Sequence, residues 1–388
     1  MNIQIGNVNS SGGGNVFHTF TEPLFLKPDG ERTRYPIGWN GYGRYIPGSL
    51  KVTYNGLPCN ITEERNGIWY NFDVAPGANT NYDDYTVEFT VRPLDYAFSV
   101  GEEDGGFPEE EYFLFPNWNE ASGQGDAFWV GKWQTSRNSE GDALCVPYSG
   151  GYWNLTYNNT YNTCRLKGPR FHLFNNKEWV SIALWTAHHN INVKGNIFGT
   201  DGANLDGDES LINDMYGYQA TYSSKKYWVV TGDVPATWNH NGMQNGIKNL
   251  VGNLNDIVYG LYIVKGSLNI LDENSNYYDT GIDIANTGTV SKQIIDIHNE
   301  TKDILDNGIP DSVSTDGFIP SNLNEGFIHV NTSYSALVFR GGNMTLGTKC
   351  NIWSTDANIT NGDTTYSLTS FRLCRYLDTE EFTDAKEL

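Results

Sequence analysis

An all-β N-terminal module followed by a larger α+β domain is the architecture this sequence predicts, on three observations. The 388 residues divide, at ~150 per domain, into two or three units, each able to bury its own core. Aromatic residues make up 14% of the chain and glycine contributes 42 residues. Asp, Glu, Lys and Arg together reach only 18%, below the ~25% of an average soluble domain. That mixture favours strands and ordered loops over helix bundles. Helix start and stop signals are confined to a few segments, all beyond residue 112.

Residues 1–40 carry Gly, Ser, Asn and Pro without periodicity, which predicts an extended arm ordered by what it docks onto. Residues 41–99 predict a small β-sandwich. Leu50, Val52 and Tyr54 alternate up to Asn55-Gly56, a dipeptide that tolerates the two positive φ angles of a type I′ hairpin turn. A second Asn-Gly, at Asn66-Gly67, precedes Ile68, Trp69 and Tyr70, and Tyr85, Val87, Phe89 and Val91 alternate again. Residues 100–111 concentrate acid, Gly and Pro, the composition of a solvated linker, and the larger domain occupies residues 112–388.

In that domain AFWVGKWQTS marks a strand. Tyr157, Tyr161 and Cys164 recur at helical spacing before Gly168-Pro169. Asn175 with Glu178 forms a capping-box pattern ahead of a helix that is apolar nearly all round, and so central and buried. YWVV and IVYGLYIV read as strands, and Ile294, Ile297, Ile304 and Leu305 suggest a last short helix over 291–305.

Charge and cysteine usage exclude several functions. Lys and Arg number 25 against 46 Asp and Glu, a net charge of −21, so there is no basic surface for nucleic acid. No stretch is long and apolar enough for membrane insertion, and the first residues lack the pattern of a signal peptide. The five cysteines are widely spaced with no CxxC, which reads as buried thiols.

Four separated blocks carry a resemblance: Cys164–Trp185 (CRLKGPRFHLFNNKEWVSIALW), Thr231–Val258 (TGDVPATWNHNGMQNGIKNLVGNLNDIV), Leu337–Met344 (LVFRGGNM) and Ser370–Leu377 (SFRLCRYL). Together with FWVGKWQTS and YNNTYNTC they resemble the C-type-lectin-fold domain of bacteriophage tropism determinants, a wider group that includes the formylglycine-generating sulfatase-modifying enzymes. The segments YIPGSLKVTYNGLPCNI and YDDYTVEFTV also resemble small β-sandwich modules of phage tail fibres. The resemblance implies a C-type-lectin-like α+β domain with two main helices and short twisted sheets. It also implies a virion location, other virion proteins and a host cell-surface protein or glycan as partners, and a homotrimer.

In that group the segment between Gly341 and Phe371 is a displayed, receptor-contacting loop. Here it reads CNIWSTDANITNGDTTYSLT, so Asn351, Trp353, Ser354, Asp356, Asn358, Asn361, Asp363 and Tyr366 are the candidate ligand-binding residues. Asn, Ser, Thr and Asp supply adaptable hydrogen bonds, and Trp and Tyr supply rigid contact area. The alternative is a purely structural virion component, a capsid decoration or baseplate protein, in which this segment is buried. The block GNLNDIV corresponds to the group's GNVWEW, which implies a Ca²⁺ site from the Asn253 carboxamide, the Leu254 carbonyl and Asp256. The acidic run with Asp201, Asp206 and Asp208 reads as a solvated turn. Cys350 and Cys374 lie too far apart for the enzymatic branch's cysteine pair, so no enzymatic activity is expected. The adjacent His188 and His189 should diverge on a helix, with no third ligand nearby in sequence.

Overall fold

In the computed structural model the first eight strands among the described residues are β1 (His18–Glu22), β2 (Arg34–Pro36), β3 (Gly43–Tyr45), β4 (Lys51–Tyr54), β5 (Leu57–Pro58), β6 (Ile61–Glu63), β7 (Trp69–Phe72) and β8 (Tyr85–Pro93). The structure describes residues 18–37, 43–64, 69–93, 110–116, 127–137, 141–146, 155–196, 219–222, 226–229, 234–271, 276–283, 291–294, 308, 325–330, 335–343, 346, 349–359, 362–366 and 368–376. β1, β8, β4 and β5 form one antiparallel sheet, with β3 also on β8, while β2, β7 and β6 form a second. Phe72 of β7 meets Tyr85 of β8 edge-on at 6.0 Å across the two sheets, over a fully buried Tyr35 and Tyr70.

Asn55 and Gly56 take φ values of 48° and 79°, the turn that lets β4 fold straight back onto β5. Residues 18–22, which their lack of periodicity assigns to an arm, are an integral strand. β1 runs along β8 with Phe20 opposite Phe89 and the two rings stacked at 5.6 Å. Asn66-Gly67 and residues 100–109 of the acidic segment lie outside the described residues. Glu110 is buried rather than solvated: it accepts from Tyr112 Oη and the Cys145 amide and faces Lys167 Nζ at 2.8 Å.

The rest of the chain continues through β9 (Tyr112–Pro116), β10 (Ala127–Gly131), β11 (Ser136–Arg137) and β12 (Ala143–Leu144). Then come α1 (Tyr157–Leu166), β13 (Phe171–Leu173), α2 (Asn176–His188), β14 (Gln219–Tyr222) and β15 (Lys226–Val229). They are followed by β16 (Asn255–Val264), β17 (Ser267–Leu271), β18 (Tyr277–Asp283), β19 (Ser291–Ile294) and β20 (Glu325–Val330). The last strands are β21 (Ser335–Arg340), β22 (Thr355–Ile359), β23 (Thr369–Phe371) and β24 (Leu373–Tyr376).

Both helices start as their sequences dictate. The Thr156 hydroxyl accepts from the Asn159 amide at the head of α1. At α2 the Asn175 side chain accepts from the Glu178 amide while Glu178 accepts from the Asn175 amide. Residues 176–186 of α2 are buried on every side, and the helix packs on β16.

The two-helix α+β C-type-lectin expectation is overturned. Of the described residues 43% are strand, and α1 and α2, of ten and thirteen residues, are the α-helices among them. The largest element is an eight-stranded sheet in the order β18-β17-β16-β21-β22-β20-β19, with β23 parallel to β16. A four-stranded sheet, β13-β24-β10-β9, stands beside it. Asn-, Thr- and Tyr-rich segments that read as loops satisfy their amides on neighbouring strands. The helix expected over 291–305 is likewise absent at its start, because Ser291–Ile294 pairs with β20; residues 295–305 lie outside the described residues. Arg372 alone separates β23 from β24, so the chain passes from the larger sheet into the smaller within one residue.

Candidate functional site

The first part of the segment, Cys350–Ala357, is built into the fold. Trp353 is 0% exposed, and Ile352, Ser354, Thr355 and Ala357 are buried. A local turn absorbs the polar groups: the Trp353 amide donates to Asn351 Oδ1 at 3.0 Å, the Asn351 amide to Ser354 Oγ at 2.8 Å, and Ser354 Oγ to the Lys349 carbonyl. Beyond it, β22 lies between β21 and β20, with Asp356 opposite both Phe339 and His329. Asp356 accepts from His329 Nδ1 at 2.9 Å. That hydrogen bond pushes the imidazole above its ordinary range, outweighing the opposing effect of burial.

Of the remaining candidates, Asn358 lies in β22, and Asn361 lies outside the described residues. Asp363 is exposed and accepts from Asn158 Nδ2 at 2.8 Å. Tyr366 is half-buried, edge-on to Phe339 at 5.4 Å and bridged through its backbone to Leu155. Trp353 and Ser354 therefore offer no surface to a receptor, and among the described candidates Asp363, in the turn at 362–366, is the exposed one.

A buried Arg340 locks the start of the segment. Its guanidinium donates to Asn176 Oδ1 at 2.6 and 2.9 Å, to Thr355 Oγ1 at 2.6 Å and to the Gly308 carbonyl at 3.2 Å. Trp179 Nε1 donates to the Ile352 carbonyl at 2.8 Å, so α2 is stitched to the segment at two points. Burial lowers the Arg340 pKa to about 9, still a cation at neutral pH.

The implied Ca²⁺ ligands do come together, but around nitrogen donors. Gln134 Nε2 donates to the Leu254 carbonyl at 2.7 Å and reaches Asp256 Oδ1 at 3.4 Å. Asn253 donates back to Gln134 Oε1 at 2.9 Å and accepts from Asn196 Nδ2 at 3.3 Å. The second Asp256 oxygen faces Arg372 Nη2 at 3.3 Å. A guanidinium thus stands where the resemblance implies a cation, and every proposed ligand oxygen is spent on an N–H. Burial raises the Asp256 carboxyl, and Arg372 and Gln134 work against that rise. The acidic run at Asp201–Asp208 lies outside the described residues.

Two clusters join residues that are far apart in sequence. His172 Nε2 lies 2.8 Å from Glu178 Oε1, beside Cys374. The other Glu178 oxygen serves the capping box, the His172 ring stacks on Tyr376 at 3.9 Å, and burial drives the Cys374 thiol well up, so this cluster braces the start of α2. All five cysteines are free thiols, four of them buried, with Cys145 pushed up to about 12 by burial. The second cluster places Glu22 of β1 against His188 and His189. Local sequence carries no signal for it, because the carboxylate arrives from another sheet. No protein-family model and no curated protein matches the chain.

Proposed function

We propose that this chain is a non-catalytic structural component of a bacteriophage virion, and that it works as a capsid decoration or baseplate-type protein through contacts with other virion subunits. The supporting observation is that Cys350–Ala357, which a receptor-binding protein of the resembling group would display, is a core turn and an internal strand. Leu57, Val74 and Leu166 are 70%, 80% and 86% exposed. A receptor-binding role would rest on other surfaces, the 362–366 turn among them.

The test is to look for the chain in purified particles by mass spectrometry and immunogold labelling, and to preincubate host cells with excess soluble chain before adding phage. Presence in particles with unchanged adsorption is the expected outcome. Absence from particles overturns the virion assignment, and blocked adsorption replaces the structural role with a receptor-binding one.

A further inference from the structure

We propose that Glu22, His188 and His189 form a binding site for a zinc-class divalent cation that fastens β1 to the end of α2. Neighbouring side chains on a helix normally diverge, but α2 ends at this point. His189 is the C-cap, at φ −85° and ψ 5°, so its ring turns back onto Trp185, with centroids 4.1 Å apart. His188 stands edge-on to it at 5.0 Å and packs on Phe25 at 4.3 Å. Both Nε2 atoms then face one carboxylate: His189 Nε2 is 2.6 Å from Glu22 Oε1, and His188 Nε2 is 3.5 Å from Glu22 Oε2.

The hydrogen bond on the far side of the His189 ring turns its second nitrogen onto the carboxylate. His189 Nδ1 lies 2.8 Å from the Trp185 carbonyl, which can only accept, so Nδ1 carries a proton and Nε2 is the atom left to meet the carboxylate. A nitrogen lone pair and a carboxylate oxygen at 2.6 Å repel unless a positive centre is shared. Protons can supply that charge, one on each Nε2 facing its own Glu22 oxygen, and one divalent cation held by all three side chains is the alternative that the convergence of donors supports. The donor atoms of all three residues lie within 4.8 Å of one another, and ligands of one tetrahedral ion with bonds of about 2.0–2.1 Å sit about 3.3 Å apart, so the His188 distance of 3.5 Å suits an ion while Glu22 Oε1, 2.6 Å from His189 Nε2, has to draw back to admit one. Two imidazoles and a carboxylate are a zinc donor set, and the Trp185 carbonyl on Nδ1 is the outer partner that orients a ligating histidine. The side chains are 7%, 3% and 5% exposed, which shields the site from competing water.

The full chain, free of any histidine tag, is stripped with chelator, loaded with Zn²⁺, dialysed and analysed for metal content. Co²⁺ loading of the same protein reads ligand geometry from visible d–d absorption. About one zinc per chain, a tetrahedral Co²⁺ spectrum and a zinc-dependent rise in Tm are expected. Glu22→Gln and His189→Gln should each weaken zinc binding by at least about tenfold, while His329→Gln, on another sheet, leaves it unchanged. Circular dichroism separates loss of the site from loss of the fold. A folded wild-type chain that retains no zinc and gives no tetrahedral Co²⁺ spectrum overturns the proposal and leaves Glu22 and His189 sharing a proton, as does unchanged zinc uptake in both folded variants.

Discussion

Arg372 and Asp256 face each other at 3.3 Å with neither side chain reaching solvent. Arg372 also donates to the carbonyls of Gly131 and Lys248 at 3.0 and 2.9 Å, so its guanidinium neutralises one buried acid and satisfies backbone from two other segments. Removing one partner of such a pair leaves the other buried and uncompensated.

Arg372→Met should therefore cost about 3–5 kcal/mol of folding stability. Asp256→Asn should cost less, because burial already disfavours the Asp256 charge and the amide oxygen can still accept from Arg372, with its NH2 turned toward Gln134 Nε2. Urea denaturation of both variants checks the order, and equal losses would contradict it.

Trp353 is a core residue here, so Trp353→Ala should cost about 3–5 kcal/mol and lower the yield of folded protein. Asp363→Ala, in the exposed 362–366 turn, should stay within about 0.5 kcal/mol of wild type. Thermal denaturation distinguishes them, and a Trp353→Ala protein as stable as wild type would place the ring outside the core.

The His329–Asp356 pair is sensitive to pH. The folded His329 titrates above its ordinary value of 6.5, so its contribution is complete below that pH and fades as pH rises through the raised folded value. The size should be about 0.2–1 kcal/mol, that of a cross-strand pair. An NMR titration of the His329 ring should give a midpoint above 6.5, returning toward 6.5 in Asp356→Asn.

Gly56 and Gly252 both have positive φ, at 79° and 67°, but they differ in surroundings. A Cβ on Gly56 would meet nothing within 4 Å, whereas one on Gly252 would sit 2.2 Å from the Asn196 carbonyl oxygen. Gly56→Ala should cost about 1–2 kcal/mol, the strain of a left-handed residue. Gly252→Ala should cost more, since backbone must also move. Chemical denaturation ranks the two.

These contrasts show which features a sequence exposes. Asn55-Gly56 and the Asn175/Glu178 box were legible because each is a local geometry with few residue types that satisfy it. The isoleucines after 291 were misleading, since a short apolar run suits a strand as well as a helix, and pairing with β20 decided Ser291–Ile294. The polarity around Trp353 suggests exposure, yet Asn351 and Ser354 spend their hydrogen bonds on each other and on the turn. Gln134, Asn253, Asp256 and Arg372 stood in three of the resembling blocks, and the structure joins them as internal bracing. Glu22 was beyond reach, because its partners lie 166 and 167 residues further along the chain.

The one-residue passage at Arg372 has a mechanical meaning. A pull that separates the eight-stranded sheet from the four-stranded one cannot be absorbed by a slack connection, because β23 and β24 are joined by a single residue whose side chain is anchored on both sides. The load would fall on the backbone ladders of β23 with β16 and of β24 with β10 and β13 together. The two sheets should therefore yield as one unit under tension.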